Sequence, residues 1–186
     1  MIGYHFLILM NFIHLKNNKT IQEFLSDERY KTCQNVKINW LCYTDNGLVY
    51  YDNRTLEERF PKYKIDFIDN KHIKSTVRGN LPNNYWATHR NPHTSKENYT
   101  SCDNRGKIIA HDTPFNPPTY DYAFIKHYCT KTIEEFCMKT ERGYPDQIVR
   151  FTRKYWIRKF GYFFALSEKT KEKLDYIKRR YNIDYK

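Results

Sequence analysis

The alternation of side chains in residues 36–43 limits the fold more than any other feature of this sequence. Every second residue from Val36 to Cys42 is apolar, whereas Lys37 and Asn39 are polar. A period of two is typical of a strand that buries one face. We therefore predict a half-buried strand here, with Lys37 and Asn39 on the solvent side.

A tight turn is predicted directly after this strand. Asp45-Asn46-Gly47 combines residues that tolerate positive φ, and Leu48–Tyr51 is predicted to return as a second strand. The polar residues 52–72 are predicted to form a loop. Further strands are predicted at residues 4–13, 73–77 and 120–128.

Two capping-box signals mark helix starts. Thr20 precedes Glu23 by three residues, and Thr132 precedes Glu135 by the same spacing. Gly143 stands where the second of these helices is predicted to end. Strands that alternate with helices indicate an α/β or α+β domain, and we expect the α/β class.

The C-terminal segment carries most of the net charge of +11. Residues 148–186 hold twelve Lys and Arg against four Asp and Glu, which gives +8 and leaves +3 for residues 1–147. Residues 147–164 are aromatic and basic at roughly helical spacing, and Ser167 is predicted to cap a last helix. Such a segment can contact nucleic acid, an anionic membrane or phosphate groups, but a solvated helix face explains the charge equally well.

The five cysteines are odd in number and form no Cys-x-x-Cys pair. We expect reduced, partly buried thiols and no zinc ribbon. The longest apolar stretch, at the N-terminus, is too short to span a bilayer and lacks the marks of a signal peptide. These features predict a cytoplasmic protein.

The segment from His127 to Glu135 is the strongest candidate for chemistry. A histidine at a predicted strand end, Lys131 four residues on, and a helix that begins at once favour a bound phosphate. His127 is also a candidate metal ligand. The alternative is an ordinary strand-to-helix turn in which Lys131 is exposed and His127 bonds a carbonyl.

Two other places offer candidate ligand-binding residues. Lys74 and Arg78 share one strand face and can clamp a diphosphate, although a solvated strand face has the same pattern. The long stretch from Asn80 to Pro118 is rich in Pro, Asn and Thr and contains Trp86 and His93. Loops of this length are often functional, and a plain surface role for His93 is equally open.

Four motifs occur in an order that resembles glycosyltransferases of family 92 and related family 2-type enzymes of surface-polysaccharide clusters. They lie between residues 12 and 147, and the most specific is HY-x-x-K-[ST]-x-E-E-F followed by K-x-x-R-G, within the last of the four. In sequence order they read KINWLCYTDNGLVYYDNRTLEERF, HIKSTVRGN, NPH and YDYAFIKHYCTKTIEEFCMKTERGYPD.

The resemblance implies a partial GT-A domain, which is a Rossmann-like nucleotide-sugar transferase fold, over residues 1–147, with residues 148–186 as a basic helical extension. It implies a nucleotide-sugar donor, a glycan, polysaccharide or lipid-linked acceptor, and a divalent metal such as Mn²⁺ or Mg²⁺. Four residues would bind the donor diphosphate, with His127 also on the metal, and Trp86 and His93 would face the acceptor. The diphosphate-binding set is Lys74, Arg78, His127 and Lys131.

The sequence departs from the family at its metal-binding motif. Ile8-Leu9-Met10 stands where family members carry Asp-x-Asp, and alkyl or thioether groups cannot hold a hard cation. We therefore expect a fragment or an impaired transferase, located in the cytoplasm or peripherally on the cytoplasmic membrane face. The alternative is a non-catalytic module that uses its basic aromatic tail on anionic membrane or nucleic acid, the resemblance making nucleic acid the less favoured partner.

Overall fold

The computed structural model describes residues 11–17, 20–77, 100–109, 117–143 and 151–186. They form a mixed α/β structure with a six-stranded sheet and five α-helices. The strands are β1 (Asn11–Leu15), β2 (Asn35–Cys42), β3 (Ile73–Val77), β4 (Ser101–Cys102), β5 (Ile108–Ile109) and β6 (Ala123–His127). The helices are α1 (Ile21–Ser26), α2 (Leu56–Arg59), α3 (Ile133–Arg142), α4 (Arg153–Leu166) and α5 (Lys171–Tyr181).

The chain divides into two compact units. The first contains residues 1–41 and 65–127, and the second contains residues 42–64 and 128–186. The predicted domain boundary between residues 147 and 148 falls outside the described residues and stays a prediction. Among the described helices, none is both long and apolar enough to cross a lipid bilayer.

The sheet of the first unit is mixed in direction. Its strand order is β1-β6-β2-β4-β5, and β3 pairs with β2 as well. β2 runs antiparallel to β3 and parallel to β4, while β1 is antiparallel to β6. The α/β class is therefore confirmed at the coarse level of mixed helices and strands.

The strand predicted from the alternation is confirmed as β2, but its expected polar face is wrong. Lys37 and Asn39 are buried rather than exposed. The Asn39 amide shows the reason, since its Nδ2 donates to the carbonyl of Asn70 at 3.3 Å and its Oδ1 accepts from the backbone of Thr119 at 3.3 Å. Chain segments distant in sequence supply the hydrogen bonds of Asn39, and every residue of β2 except Trp40 is buried.

A disulfide between Cys33 and Cys102 corrects the expectation of reduced cysteines. The two residues are 69 positions apart, and Cys102 lies on β4. Spacing alone could not reveal the pair because the strand order of the sheet brings them together. The other three cysteines, Cys42, Cys129 and Cys137, are buried and not disulfide-bonded.

The turn predicted after β2 is confirmed, but the strand predicted to follow it is not. Asn46 and Gly47 have φ of 51° and 82°, and the Leu48 N–H donates to the Asp45 carbonyl. Leu48–Tyr51 forms no strand. The predicted loop at residues 52–72 instead contains α2, which begins with a capping box of its own.

Aromatic side chains from α3, α4 and α5 form the core of the second unit. Its fully or nearly buried members include Phe136, Trp156, Phe160, Phe163 and Ile177. Ser167 ends α4 rather than beginning the last helix, because its N–H donates to the Phe163 carbonyl. The last helix begins after Thr170 instead.

Candidate functional site

The candidate site is a group of ring and ammonium side chains on the first unit, which we name the Trp40 cluster. It consists of Trp40 on β2, His72 directly before β3, Lys74 on β3, and His127 at the end of β6. β2 neighbours both β3 and β6 in the sheet, so the strand order brings the four residues together.

The indole of Trp40 is at the centre of the cluster. Its ring centroid lies 3.8 Å from that of His127 and 4.7 Å from that of His72, and the two imidazoles stack on the indole at angles of 27° and 22°. The backbone N–H of Trp40 donates to the His72 carbonyl at 2.9 Å, which fixes the strand pairing beneath the rings. The rings therefore form a row across neighbouring strands.

Lys74 adds a positive charge to this row. Its Nζ lies 5.8 Å from the centroid of the Trp40 ring, within the range of a cation–π contact. Burial lowers the pKa of Lys74 from its ordinary value. An ammonium that has lost part of its hydration gains more from an anion than a fully solvated one does.

His72 is a titratable member of the cluster and lies near a carboxylate. Its Nε2 lies 4.0 Å from Oδ1 of Asp69. Burial is the main effect and lowers the pKa of His72, the nearby Lys74 lowers it further, and Asp69 opposes both. The cluster thus favours a neutral imidazole at this position.

The four side chains are partly exposed rather than fully buried. Because both imidazoles stack on the indole, the cluster offers a ligand its polar ring edges rather than a free indole face. A cation at the edge of the same rings suits a phosphate. The arrangement can therefore hold an anionic group.

Lys131 belongs to the second unit and lies at the start of α3. Its Nζ is 3.7 Å from Oε1 of Glu135, whose carboxylate also accepts from Arg59 at 2.7 Å. The capping box of α3 is confirmed, because the Thr132 hydroxyl accepts from the Glu135 N–H and Glu135 accepts from the Thr132 backbone. In this arrangement a carboxylate of the chain occupies the positive end of the helix.

The remaining predicted site residues are not among those described. Arg78, Trp86 and His93 lie outside the described ranges, as do Ile8 and Met10. The pyrophosphate pocket predicted from Arg78, His127 and Lys131 therefore stays a prediction. His127 and Lys74, both predicted to contact the same diphosphate, do contact the same indole ring.

The described residues do not provide the ligand set of a metal site. Within those ranges, His, Cys, Asp and Glu side chains form no group of three that could hold an ion. The carboxylate-bound Mn²⁺ or Mg²⁺ that the resemblance implies therefore stays a prediction.

Sequence reasoning misses the roles of Trp40 and His72. The alternation assigns Trp40 to the apolar side of β2, and the predicted loop includes His72. The proximity of Trp40 and His72 follows from strand pairing, because the antiparallel register of residues 35–39 with 73–77 sets these two residues side by side. The sequence predicts both strands but not the register between them.

A small cleft elsewhere on the first unit has its charged side chains, Arg29 and Asp27, paired with each other. It is lined in part by Leu15, Phe24 and Tyr122. Arg29 forms two hydrogen bonds with Asp27, at 2.8 and 2.9 Å, and its guanidinium stacks 3.6 Å above the Tyr122 ring. This pairing leaves the cleft little charge for a ligand, so the Trp40 cluster is the better candidate.

Comparison with known proteins identifies no relative of this chain: no family model, no curated protein and no solved structure matches it. The resemblance to family 92 glycosyltransferases accordingly stays an expectation from the sequence motifs. What the chain can bind has to be argued from its own residues.

Proposed function

We propose that the chain is a glycosyltransferase, or a part of one, with the Trp40 cluster as the contact for a nucleotide-sugar donor. The acceptor class is a glycan, polysaccharide or glycolipid, and the fold class is GT-A. One observation supports the proposal: His127 and Lys74, both chosen from sequence as donor-binding residues, contact the same partly buried indole. The ordered sequence motifs are its second support.

The proposed roles follow from the chemistry of sugar transfer. An acceptor hydroxyl attacks the anomeric carbon, the bond from that carbon to the phosphate oxygen breaks, and the diphosphate leaves with added negative charge. Lys74 is suited to stabilise that charge. His127 is suited to contact the diphosphate through a ring nitrogen, which stacking on Trp40 leaves in the plane of its ring. The base that takes the acceptor proton is unassigned.

The divalent metal enters this proposal only through the resemblance, so no step is routed through it. Since Ile8 and Met10 replace the family's acidic residues, we expect little or no sugar transfer by this chain, with or without Mn²⁺. Donor binding is therefore a better test than turnover. A peripheral position on the cytoplasmic membrane face is part of the same proposal.

Binding of a nucleoside diphosphate tests the proposal. We expect UDP or GDP to quench tryptophan fluorescence in a saturable titration, and Lys74→Ala and His127→Gln to weaken binding about tenfold, the effect of one lost charge-assisted contact. Lys107→Ala is the matched control, because Lys107 is an exposed lysine of the same unit. We expect it to bind within about twofold of the natural chain, as a substitution away from the contact should.

Two results would count against the proposal. One is the absence of saturable binding of either nucleotide by a folded chain. The other is equal binding by the Lys74→Ala, His127→Gln and Lys107→Ala variants, which would remove the Trp40 cluster from the contact. Circular dichroism of each variant checks that the fold is intact.

A non-catalytic module that acts through the C-terminal segment is the second candidate function. The observation that favours it is the exposed basic side of α4. Rising salt separates the two functions, because attachment to a polyanion by surface cations falls steeply with ionic strength. Nucleotide binding at a half-buried cluster depends on salt much less.

A further inference from the structure

The solvent side of α4 combines positive charge with apolar side chains. We name it the α4 basic face and define it by Arg153, Lys154, Ile157, Arg158 and Tyr162, all of which are exposed. The opposite side of the helix carries Trp156, Phe160 and Phe163 into the core of the second unit. Packing of the helix therefore does not need the α4 basic face.

Helix stability does not explain the charges of this face. The first turn of α4 contains no acidic residue, although the helix dipole favours acids there and disfavours cations. Arg153 and Lys154 occupy that first turn. The segment from Phe151 to Ser167 has no Asp or Glu at all.

Neutralisation by neighbouring acids does not explain them either. Elsewhere in the second unit, several cations are paired, among them Lys178 with Asp184 and Arg180 with Glu141, both at 2.6 Å. Arg153, Lys154 and Arg158 form no ion pair with any carboxylate in the described part of the chain. Their charge is therefore available to an external anion.

Apolar side chains lie between and beside these cations. Ile157, which is 42% exposed, is close to one helical turn after Lys154 and adjacent to Arg158. Tyr162, one turn further along the helix from Arg158, is 36% exposed. Cations that flank exposed aliphatic and aromatic groups are typical of helices that lie in a membrane interface.

We propose that the α4 basic face binds an anionic lipid surface. The cations would contact lipid phosphates and carboxylates, while Ile157 and Tyr162 would enter the boundary between headgroups and acyl chains. A nucleic acid would also attract the cations, but it offers no apolar layer for Ile157. Lipid is therefore the occupant that uses the whole face.

This proposal does not rest on sugar transfer or on the Trp40 cluster. The residues that carry it are all on α4 or next to it, and none of them belongs to the donor site. Failure of nucleotide binding would leave lipid binding unaffected, and the converse also holds. The two tests are therefore distinguishable in the same protein preparation.

Vesicle flotation of the full chain tests the proposal. We expect binding to vesicles of phosphatidylcholine with about one third phosphatidylserine, none to phosphatidylcholine alone, and loss of binding as salt rises. Each surface cation contributes on the order of fivefold, so Lys154→Glu with Arg158→Glu should weaken binding by about 25-fold or more. Ile157→Ser should weaken it several-fold without a change of charge.

The matched control is Lys62→Glu with Lys171→Glu, which alters net charge equally at exposed lysines of the same unit. We expect this control to bind nearly as well as the natural chain. Equal loss in control and test variants would overturn the proposal, because any charge reversal would then suffice. Unchanged binding by Ile157→Ser, or binding of single-stranded DNA in preference to the vesicles, would overturn it as well.

Discussion

At the residue scale, Trp40 shows how one side chain can organise a site. Its indole gathers two imidazoles and one ammonium that come from other parts of the chain. Each of these side chains is ordinary in sequence, and each is only half-buried. Their common contact, rather than any of them alone, marks the cluster as a place for a ligand.

His72 should make the stability of the fold depend on pH. Burial holds its folded pKa below the ordinary value of 6.5. As pH falls, the unfolded chain takes up this proton first, so stability present above about pH 6.5 is lost below it. We expect the free energy of unfolding, measured by urea titration, to decrease from about pH 7.5 to about pH 5.5, and His72→Gln to reduce this dependence.

Asp69→Asn provides the opposite change at the same site. The Asp69 carboxylate raises the pKa of His72, so its removal should lower that pKa further and steepen the loss of stability on acidification. The same urea titrations measure this change. If the His72→Gln variant kept the pH dependence of the natural chain, other groups would control it.

At the element scale, helix caps were predictable because their signals are local. The capping boxes of α1 and α3 each depend on residues three positions apart. Ser167 and Thr170 lie equally close together, and both are residues that can begin a helix. The position at which α4 ends shows that Ser167 is not the cap of the last helix, because the Ser167 N–H donates to the Phe163 carbonyl of α4.

Thr132 and Thr170 form a matched pair for testing the value of a cap. Both are N-caps, but the Thr132 hydroxyl accepts from the Glu135 N–H, whereas Thr170 makes no side-chain capping bond. We expect Thr132→Ala to lower the free energy of unfolding by about 1 kcal/mol and Thr170→Ala to change it little. Urea denaturation of the two variants gives the comparison. Similar losses in both would show that capping is not the cause.

Strand burial was harder to predict than strand position. The alternation in β2 located the strand, yet Lys37 and Asn39 are buried because distant segments cover their face. Polar residues on a strand indicate solvent only when nothing else supplies hydrogen bonds. That supply depends on contacts across 31 and 80 residues, which local patterns do not contain.

At the scale of the whole molecule, the Cys33–Cys102 disulfide should contribute measurably to stability. It closes a loop of 69 residues, for which loss of chain entropy in the unfolded state corresponds to about 4 kcal/mol. We expect a reductant, or Cys33→Ser with Cys102→Ser, to lower the free energy of unfolding by a comparable amount. The double variant should no longer respond to reductant.

Thiol counting checks the pairing itself. The chain has five cysteines, so the unreduced protein in denaturant should show three reactive thiols and the reduced protein five. Five thiols before reduction would contradict the disulfide. Persistent disulfides are typical of oxidising compartments. Three reactive thiols before reduction would therefore count against the expected cytoplasmic location.

The interleaving of the two units has a consequence for synthesis on the ribosome. Residues 42–64 leave the exit tunnel long before residues 128–186, with which they form one unit. At about 5–20 residues per second, several seconds separate the two segments. Phe60 is fully buried in the folded protein, where it contacts Tyr128. During that interval it lacks the partners that residues 128–186 later supply. The nascent chain therefore exposes an apolar segment that chaperones can bind.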